Sequence, residues 1–364
     1  MLIRNLLIVT FVDFWNKGAG HRSRLFSLIS FLYDLLPITV YFVGKVDETD
    51  KVKVYQSFPL LHFEFEQEQP PSTFEEAEPL FEQFCKGKQF DFLLVEYIEL
   101  SFVLRYVSSN TVTILDTHDI VHEKIISFKK YGITYDGIQL SRQEEINLFR
   151  CYDVVIFIQQ LDFQKYRTHI GSERAILVPH AVSPVKSRIK KKVKNICYIG
   201  SEYAPNVTSL HWFLTDIWPS VRHRNRPIFH IYGQVCNHLN QSLVQHCSDV
   251  YCHGFINQIQ DVYKSSDLIV NPILAGAGLK IKNVEALGFG LPLITTSHGA
   301  TGLEDAPPET FLIADTAENF SATINSLILD YKLRTRLSEN ALFYSTQKFM
   351  VEKAYASLLN IIIN

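Results

Sequence analysis

Nothing in this 364-residue sequence is long and apolar enough to cross a bilayer, because no run approaches the roughly 18 apolar residues that a spanning helix needs. The opening MLIRNLLIVTFVDF has some apolar character of an export signal. Asp13 interrupts it and no small-residue cleavage site follows, so it reads as a first β-strand. Positive charge is not in surplus either: 35 Lys and Arg against 38 Asp and Glu leave −3. That balance argues against a partner with a nucleic-acid backbone. The six cysteines (85, 151, 197, 236, 247 and 252) form no C-x-x-C pair and no short zinc spacing. Cys151, Cys197 and Cys252 fall in apolar runs and are expected as small core residues, a usage that fits a reducing cytoplasm. There is no internal repeat and no low-complexity segment.

What remains is material for two packed domains: 364 residues, 47% hydrophobic and 13% aromatic. Strand-like apolar runs at 6–12, 38–44, 61–65, 90–96, 112–116, 154–158 and 175–178 alternate with helical stretches, notably 21–35, 74–86 and 123–150. Residues 64–78 (EFEQEQPPSTFEEAE) read as an exposed acidic loop entering a helix. From 183 to 194 the composition turns basic and apolar residues thin out, as in a solvated linker. The alternation resumes at 195–200, 227–232 and 251–255, and helices close the chain from 316 onward. Repeated strand–helix units imply parallel α/β sheets with active residues at the carboxyl ends of the strands.

The most informative stretch is LIVNPILAGAGLKIKNVEALGFGLPLITTSHGATGL, residues 268–303. It reads strand, glycine loop, helix, strand, glycine turn. In the helix, Ile281, Val284 and Leu287 share a face, and Gly290 and Pro292 stop it. A glycine loop opening a helix offers unpaired N–H groups and a positive dipole end, which suits a phosphate. Lys280 and Lys282 stand in that first turn, where cations are disfavoured unless an anion lies between them, and Glu285 could accept from sugar hydroxyls. The residues alone allow either this site or an ordinary βαβ turn with solvated lysines. The same leaves two readings for Gly18-Ala19-Gly20, which follow the first strand in a G-x-G-x-x-S spacing. Ser23 replaces the third glycine of a dinucleotide fingerprint and no acidic residue closes the second strand, so the loop is either a turn or a contact to phosphate. At 116–124, DTHDIVHEK brings Asp116, His118, Asp119 and His122 to a strand's carboxyl end. The four-residue spacing of the histidines raises metal binding without guaranteeing a shared face. Glu96 closes FDFLLVEY as a candidate acceptor contact.

The run NPILAGAGLKIKNVEALGFGLPLITTSHGATGL resembles the nucleotide-sugar signature of family 4-type (group 1) retaining glycosyltransferases, flanked by YIGSEYAPNVTSLHWFLTDIWP, IYGQV and HGFINQIQDVYKSSDLIVNP. The match is specific over roughly 195–305. It implies a GT-B fold, α/β with two Rossmann-like domains facing a cleft: residues 1–183 for the acceptor, 184–346 for the donor, and a helix in 347–364 packing back on the first domain. It implies Gly276, Ala277, Gly278 and Leu279 with Lys280 and Lys282 at the donor diphosphate, Glu285 at its ribose, and His118 near the reacting sugar. Gly200, Gly233, Phe255 and Ile256 fall at donor-side positions, with the latter two framing the base. Gly18, Ala19, Gly20 and Asp119 fall on the acceptor side of the cleft.

Two departures stand out. The family often carries a second glutamate eight positions before the one that corresponds to Glu285, where this chain has Ala277, as in a subset with a GAG-type loop. Pro179-His180-Ala181-Val182 replaces the usual P-N-G-V, so no binding role is carried over there. The activity implied is transfer of a sugar, UDP-sugar favoured, to a glycan, lipid-linked or protein acceptor with retention. It needs no metal and no cofactor, because lysines and helix N–H groups stabilise the leaving diphosphate while donor phosphate helps deprotonate the acceptor. The alternatives are a nucleotide-sugar epimerase of the same fold and an inactive glycosyltransferase-like binding partner. A cytoplasmic protein is expected, and a peripheral amphipathic helix leaves membrane association open. The sequence carries no signal for an oligomeric state.

Overall fold

The long apolar runs form two all-parallel sheets. The computed structural model describes residues 4–363 apart from 17, 67–68, 222–226, 241–243 and 245–246. In the first sheet, β1 (Leu6–Thr10), β2 (Ile38–Phe42), β3 (His62–Phe65), β4 (Phe92–Glu96), β5 (Val112–Asp116), β6 (Val154–Phe157) and β7 (Ala175–Leu177) lie in the order β3-β2-β1-β4-β5-β6-β7. The second contains β8 (Asn195–Ile199), β9 (Ile228–Tyr232), β10 (Val250–Cys252), β11 (Leu268–Asn271), β12 (Leu293–Thr295) and β13 (Leu312–Ile313), ordered β10-β9-β8-β11-β12-β13. Strands β1 and β4 are buried along their whole length, as expected where helices cover both sheet faces. Leu6, Ile8 and Leu94 pack with Leu25, Leu28 and Ile29 of helix Gly20–Tyr33 on one face. Leu7, Val9 and Val95 pack with Phe81, Phe149 and Tyr166 on the other.

Strand order reverses between β1 and β4 in the first sheet and between β8 and β11 in the second. Such switch points splay the loops at the carboxyl ends apart and leave a crevice for ligands. The two crevices face each other, so the Gly18–Gly20 loop and Tyr97 look across at Gly200 and the 275–280 loop. This geometry, rather than any one motif, places the site.

Several local expectations are revised. The stretch 123–150 is two helices, Val121–Lys130 and Arg142–Phe149. The second starts at a reciprocal cap in which Ser141 Oγ accepts from Glu144 N and Glu144 returns a bond to Ser141 N. Cys197 is buried, but Cys151 and Cys252 are exposed, because one follows a helix end and the other ends an edge strand. In the acidic stretch 64–78, residues 67 and 68 lie outside the described residues, and helix Phe74–Cys85 follows with Thr73 as its cap.

The segment 183–194 is held through its backbone: Asp267 accepts from Lys194 N and Asn195 N, and Arg334 donates to the carbonyls of Lys190 and Lys191. Helix Tyr331–Lys348 packs on helix Ile281–Gly288. The chain then crosses back where Val182 N donates to Phe349 O, and helices Val351–Ala354 and Ala356–Ile363 follow. Tyr355, Leu358 and Ile362 enter the core of the first sheet, and Tyr355 OH donates to Ser27 Oγ at 2.9 Å. Among the described residues no helix is long and apolar enough to cross a membrane.

Candidate active site

Between the sheets runs a cleft of about 1350 Å³, lined from both halves of the chain. Single-ligand pockets are typically about 300–1,000 Å³, so this one has room for two reactants. One wall is the loop and helix after β11. Helix Ile281–Gly288 begins after Lys280 with no side-chain cap, which leaves its first N–H groups to backbone, water or ligand. Lys280 Nζ donates to the carbonyls of Ala277 and Gly278 at 3.2 and 2.8 Å, pulling the glycine loop around its ammonium. Lys282 Nζ donates to Asn206 Oδ1 at 2.9 Å and lies 4.5 Å from the centre of the Tyr198 ring. Glu285, one turn on, accepts from Tyr263 OH at 2.7 Å.

Burial sets the electrostatics of this wall. Desolvation lowers Lys280 to about 8. Desolvation and the neighbouring Lys280 lower Lys282 to about 7. Desolvation raises Glu285 to about 7 against the opposing pull of Tyr263 and Lys282. Two ammonium groups stripped of water and set close together form a site short of negative charge, which a diphosphate would supply.

The opposite wall is a buried charge cluster at the ends of β4 and β5. Arg24 forks Asp116, Nε to Oδ2 at 2.8 Å and Nη2 to Oδ1 at 3.0 Å, with both side chains fully buried. His118 Nε2 lies 2.5 Å from Glu96 Oε2, and its ring stacks on Tyr97 at 4.1 Å. Burial disfavours the imidazolium, but Asp116 and Glu96 outweigh it and hold the pKa of His118 above the ordinary value. The ligand atoms of Glu96, Asp116 and His118 lie within 4.8 Å of one another, the one such grouping among the described residues. The Arg24 guanidinium already supplies the positive charge there. His122 does not join it: its Nδ1 bonds Glu145 Oε2, while the Glu145 carboxylate also caps Val121 N and His122 N. The spacing of four residues therefore separates the two histidines instead of pairing them.

The walls touch through glycines. A Cβ on Gly278, which has φ +66°, would sit 2.5 Å from the backbone oxygen of His118. One on Gly20 would sit 3.2 Å from Ile281. Gly276 N donates to Ser127 Oγ at 3.0 Å, and Asp119 pairs with Lys124 at 3.0 Å beside it.

Of the residues singled out in the sequence, His118, Lys280, Lys282, Glu285, Gly200, Ile256, Gly276, Ala277, Leu279, Gly18, Ala19, Gly20 and Asp119 line the cleft. Gly278 stands just behind it against His118. Phe255 packs on Gly18 and Gly233 against the Gly200 carbonyl, each directly behind a residue of the lining. Arg24, Tyr97, Tyr198, Asn206 and Tyr263 were not anticipated, since each acts through a partner distant in sequence. His180 also reaches the cleft, 4.0 Å from Glu285, and burial lowers it to about 3.

Residues 193–330 match the family model Glycosyl transferases group 1. That segment holds β8 through the helix after β13 and contains both lysines and Glu285. The chain has the GT-B fold and carries a group 1 glycosyltransferase segment over those residues. It is similar to a Klebsiella pneumoniae protein described as an uncharacterized 44.6 kDa protein in the cps region, 23% identical over 75% of this chain and 74% of that one. Its fold is similar to that of Anabaena HepE in complex with UDP and glucose, with a TM-score of 0.73, 14% identity and 99% of each chain covered. A mutant of S. aureus TarM in complex with fondaparinux, α-GlcNAc-glycerol and UDP has a TM-score of 0.78 at 10% identity, over 99% of this chain and 100% of TarM. WaaG, a glycosyltransferase involved in lipopolysaccharide biosynthesis, has 0.68 at 14%, over 98% and 100%.

Proposed function

We propose that this protein moves a sugar from a UDP-sugar to a hydroxyl of a glycan or lipid-linked acceptor, with retention of configuration and without a metal. The observation that carries the reading is the convergence of Lys280, Lys282 and Glu285 on one wall of a cleft large enough for two substrates. The lysines and the uncapped helix start would hold the diphosphate, and Glu285, oriented by Tyr263, would hold the ribose. As the glycosidic bond lengthens, negative charge grows on the leaving oxygen, where donors already in position cost no reorganisation. UDP is favoured because it is the nucleotide in the HepE and TarM complexes. The acceptor class follows from the lipopolysaccharide role of WaaG and the cps-region relative, while a protein acceptor is the less favoured case.

The test is product analysis with UDP-glucose, UDP-galactose and UDP-GlcNAc offered to lipid-linked and soluble glycan acceptors, with and without chelator. The reading expects acceptor-dependent UDP release, unaffected by chelation, and an α-linked product by NMR. An inverted anomer would overturn retention, and an epimerised donor without acceptor would point to an epimerase instead.

A further inference from the structure

The mechanism so far leaves Glu96 without a task, although it is among the most completely buried charged groups in the protein. It ends β4, paired in register with Asp116 at the end of β5. Its Oε2 meets His118 Nε2 at 2.5 Å and its Oε1 has no partner. A buried carboxylate with one bond is costly unless an opposite charge stands against it. Arg24 attracts Glu96 through space but gives its Nε and Nη2 to Asp116, and its buried Nη1 makes no hydrogen bond to Glu96, so His118 is the one group bonded to that carboxylate. Counting the cluster, Asp116 and Glu96 bring two negative charges and Arg24 one positive; a protonated His118 makes it neutral.

The backbone gives an independent observation. Tyr97 and His118 have φ of 71° and 55°, in the left-handed region that side chains with a Cβ rarely adopt. Each directly follows a strand end or lies two residues past it, and their rings stack 8° from parallel. Strain of this kind persists where surrounding contacts fix it, and it clusters at working sites. Here it turns the imidazole so that Nε2 enters the charge cluster. Nδ1 is then the nitrogen left for the cleft, beside the glycine loop that touches the His118 carbonyl.

We propose that Glu96 is a positioning residue for glycosyl transfer: it anchors His118 through Nε2 and keeps both ring nitrogens protonated, so that Nδ1–H is a fixed hydrogen-bond donor to the bound donor substrate. This rests on the transfer reading above. The proton stays on the ring throughout, since Glu96 stabilises the cation, and His118 polarises without relaying. The groups that face the imidazole are Glu96, Tyr97 and Glu99 from the end of β4 and the turn after it, Asp116 from β5, and His21 and Arg24 from helix Gly20–Tyr33. The Asp119–Lys124 pair lies beyond. Burial opposes the charged ring and also raises Glu96, but Asp116 and then Glu96 favour the imidazolium over burial and Arg24, and the pKa of His118 stays raised on balance.

The experiment compares the full-length wild type with Glu96→Gln and Glu96→Asp, reading kcat and donor KM from pH 5.5 to 9 and the ¹⁵N shifts of the His118 ring over the same range. The wild-type His118 is expected to titrate above 6.5 and the Glu96→Gln ring below the wild-type midpoint. Glu96→Gln should transfer well near pH 6 and lose about tenfold in kcat for each pH unit above its displaced midpoint, with donor KM little changed. Glu96→Asp, which keeps the carboxylate, should restore the basic limb. A uniform fall in kcat with an unchanged profile, or equal midpoints in the ring titration, would overturn the proposal and make Glu96 a packing residue. If the wild type transfers from no nucleotide sugar, the transfer reading fails, and the ring titration still decides whether Glu96 holds the His118 proton.

Discussion

The backbone oxygen of His118 lies 2.5 Å from the position a Cβ on Gly278 would occupy. The histidine of one wall and the glycine loop of the other are thus closer than any other residue at 278 would permit. Gly278→Ala must either move the domains apart or distort both loops. We expect kcat/KM to fall at least about tenfold while the melting temperature falls by only a few degrees, since an alanine at positive φ costs on the order of 1 kcal/mol. Steady-state kinetics beside a thermal melt check this; an unchanged kcat/KM would show that the contact is slack.

The donor wall is expected to carry a stability penalty. The pKa of Lys282 falls from 10.5 unfolded to about 7 folded. Between those values the unfolded chain binds more protons, so the ligand-free protein gains stability as pH rises through that window. Lys282→Met removes the penalty. It should raise unfolding stability at pH 7 and below, with the gain fading toward pH 10. Urea titrations at pH 6.5 and 9.5 test the sign. A loss of stability at the lower pH would contradict the reading of the lysine as a desolvated cation.

The same lysine ties donor binding to protons. At pH 8 free Lys282 is largely neutral and Lys280 about half so, and a diphosphate beside them restores the charge, so UDP binding should take up more than one proton. Calorimetry in buffers of different ionisation enthalpy measures that uptake directly. Binding should weaken as pH rises above 8. Proton release, or none exchanged, would place the diphosphate elsewhere.

Arg24 is the structural keystone of the opposite wall. Arg24→Met would strand the Asp116 and Glu96 carboxylates in a dry interior, for a loss of about 3–5 kcal/mol. We expect the variant to unfold at markedly lower denaturant. Little change in midpoint would mean that water reaches the cluster.

Much of this was legible in the sequence because the signals are local. Glycine loop, paired lysines and Glu285 fall within eleven residues, 275–285, and the continuous apolar strands announce a doubly covered sheet. The split of residues 123–150 was also readable, from Gly132, Gly137 and the Ser141/Glu144 capping pair. The acceptor-side chemistry was not. Arg24 meets Asp116 across 92 residues and Glu96 meets His118 across 22, through strand order that no local pattern encodes. Glu96 stood out only as a possible acceptor contact, whereas its carboxylate is fully buried behind His118. Gly233 and Phe255 were placed by motif position, and each packs directly against a cleft-lining glycine, Gly200 and Gly18 respectively.

The most direct test of the central claim is a thermal-shift screen of UDP-, GDP-, ADP- and dTDP-sugars, with and without chelator, beside the Lys280→Ala/Glu285→Ala double mutant. A donor that binds only the folded state adds about 2.7 kcal/mol at a hundredfold excess over its Kd. The account predicts a shift for the UDP-sugars that survives chelation and disappears in the double mutant. An equal shift in the mutant, or none with any nucleotide, would contradict it.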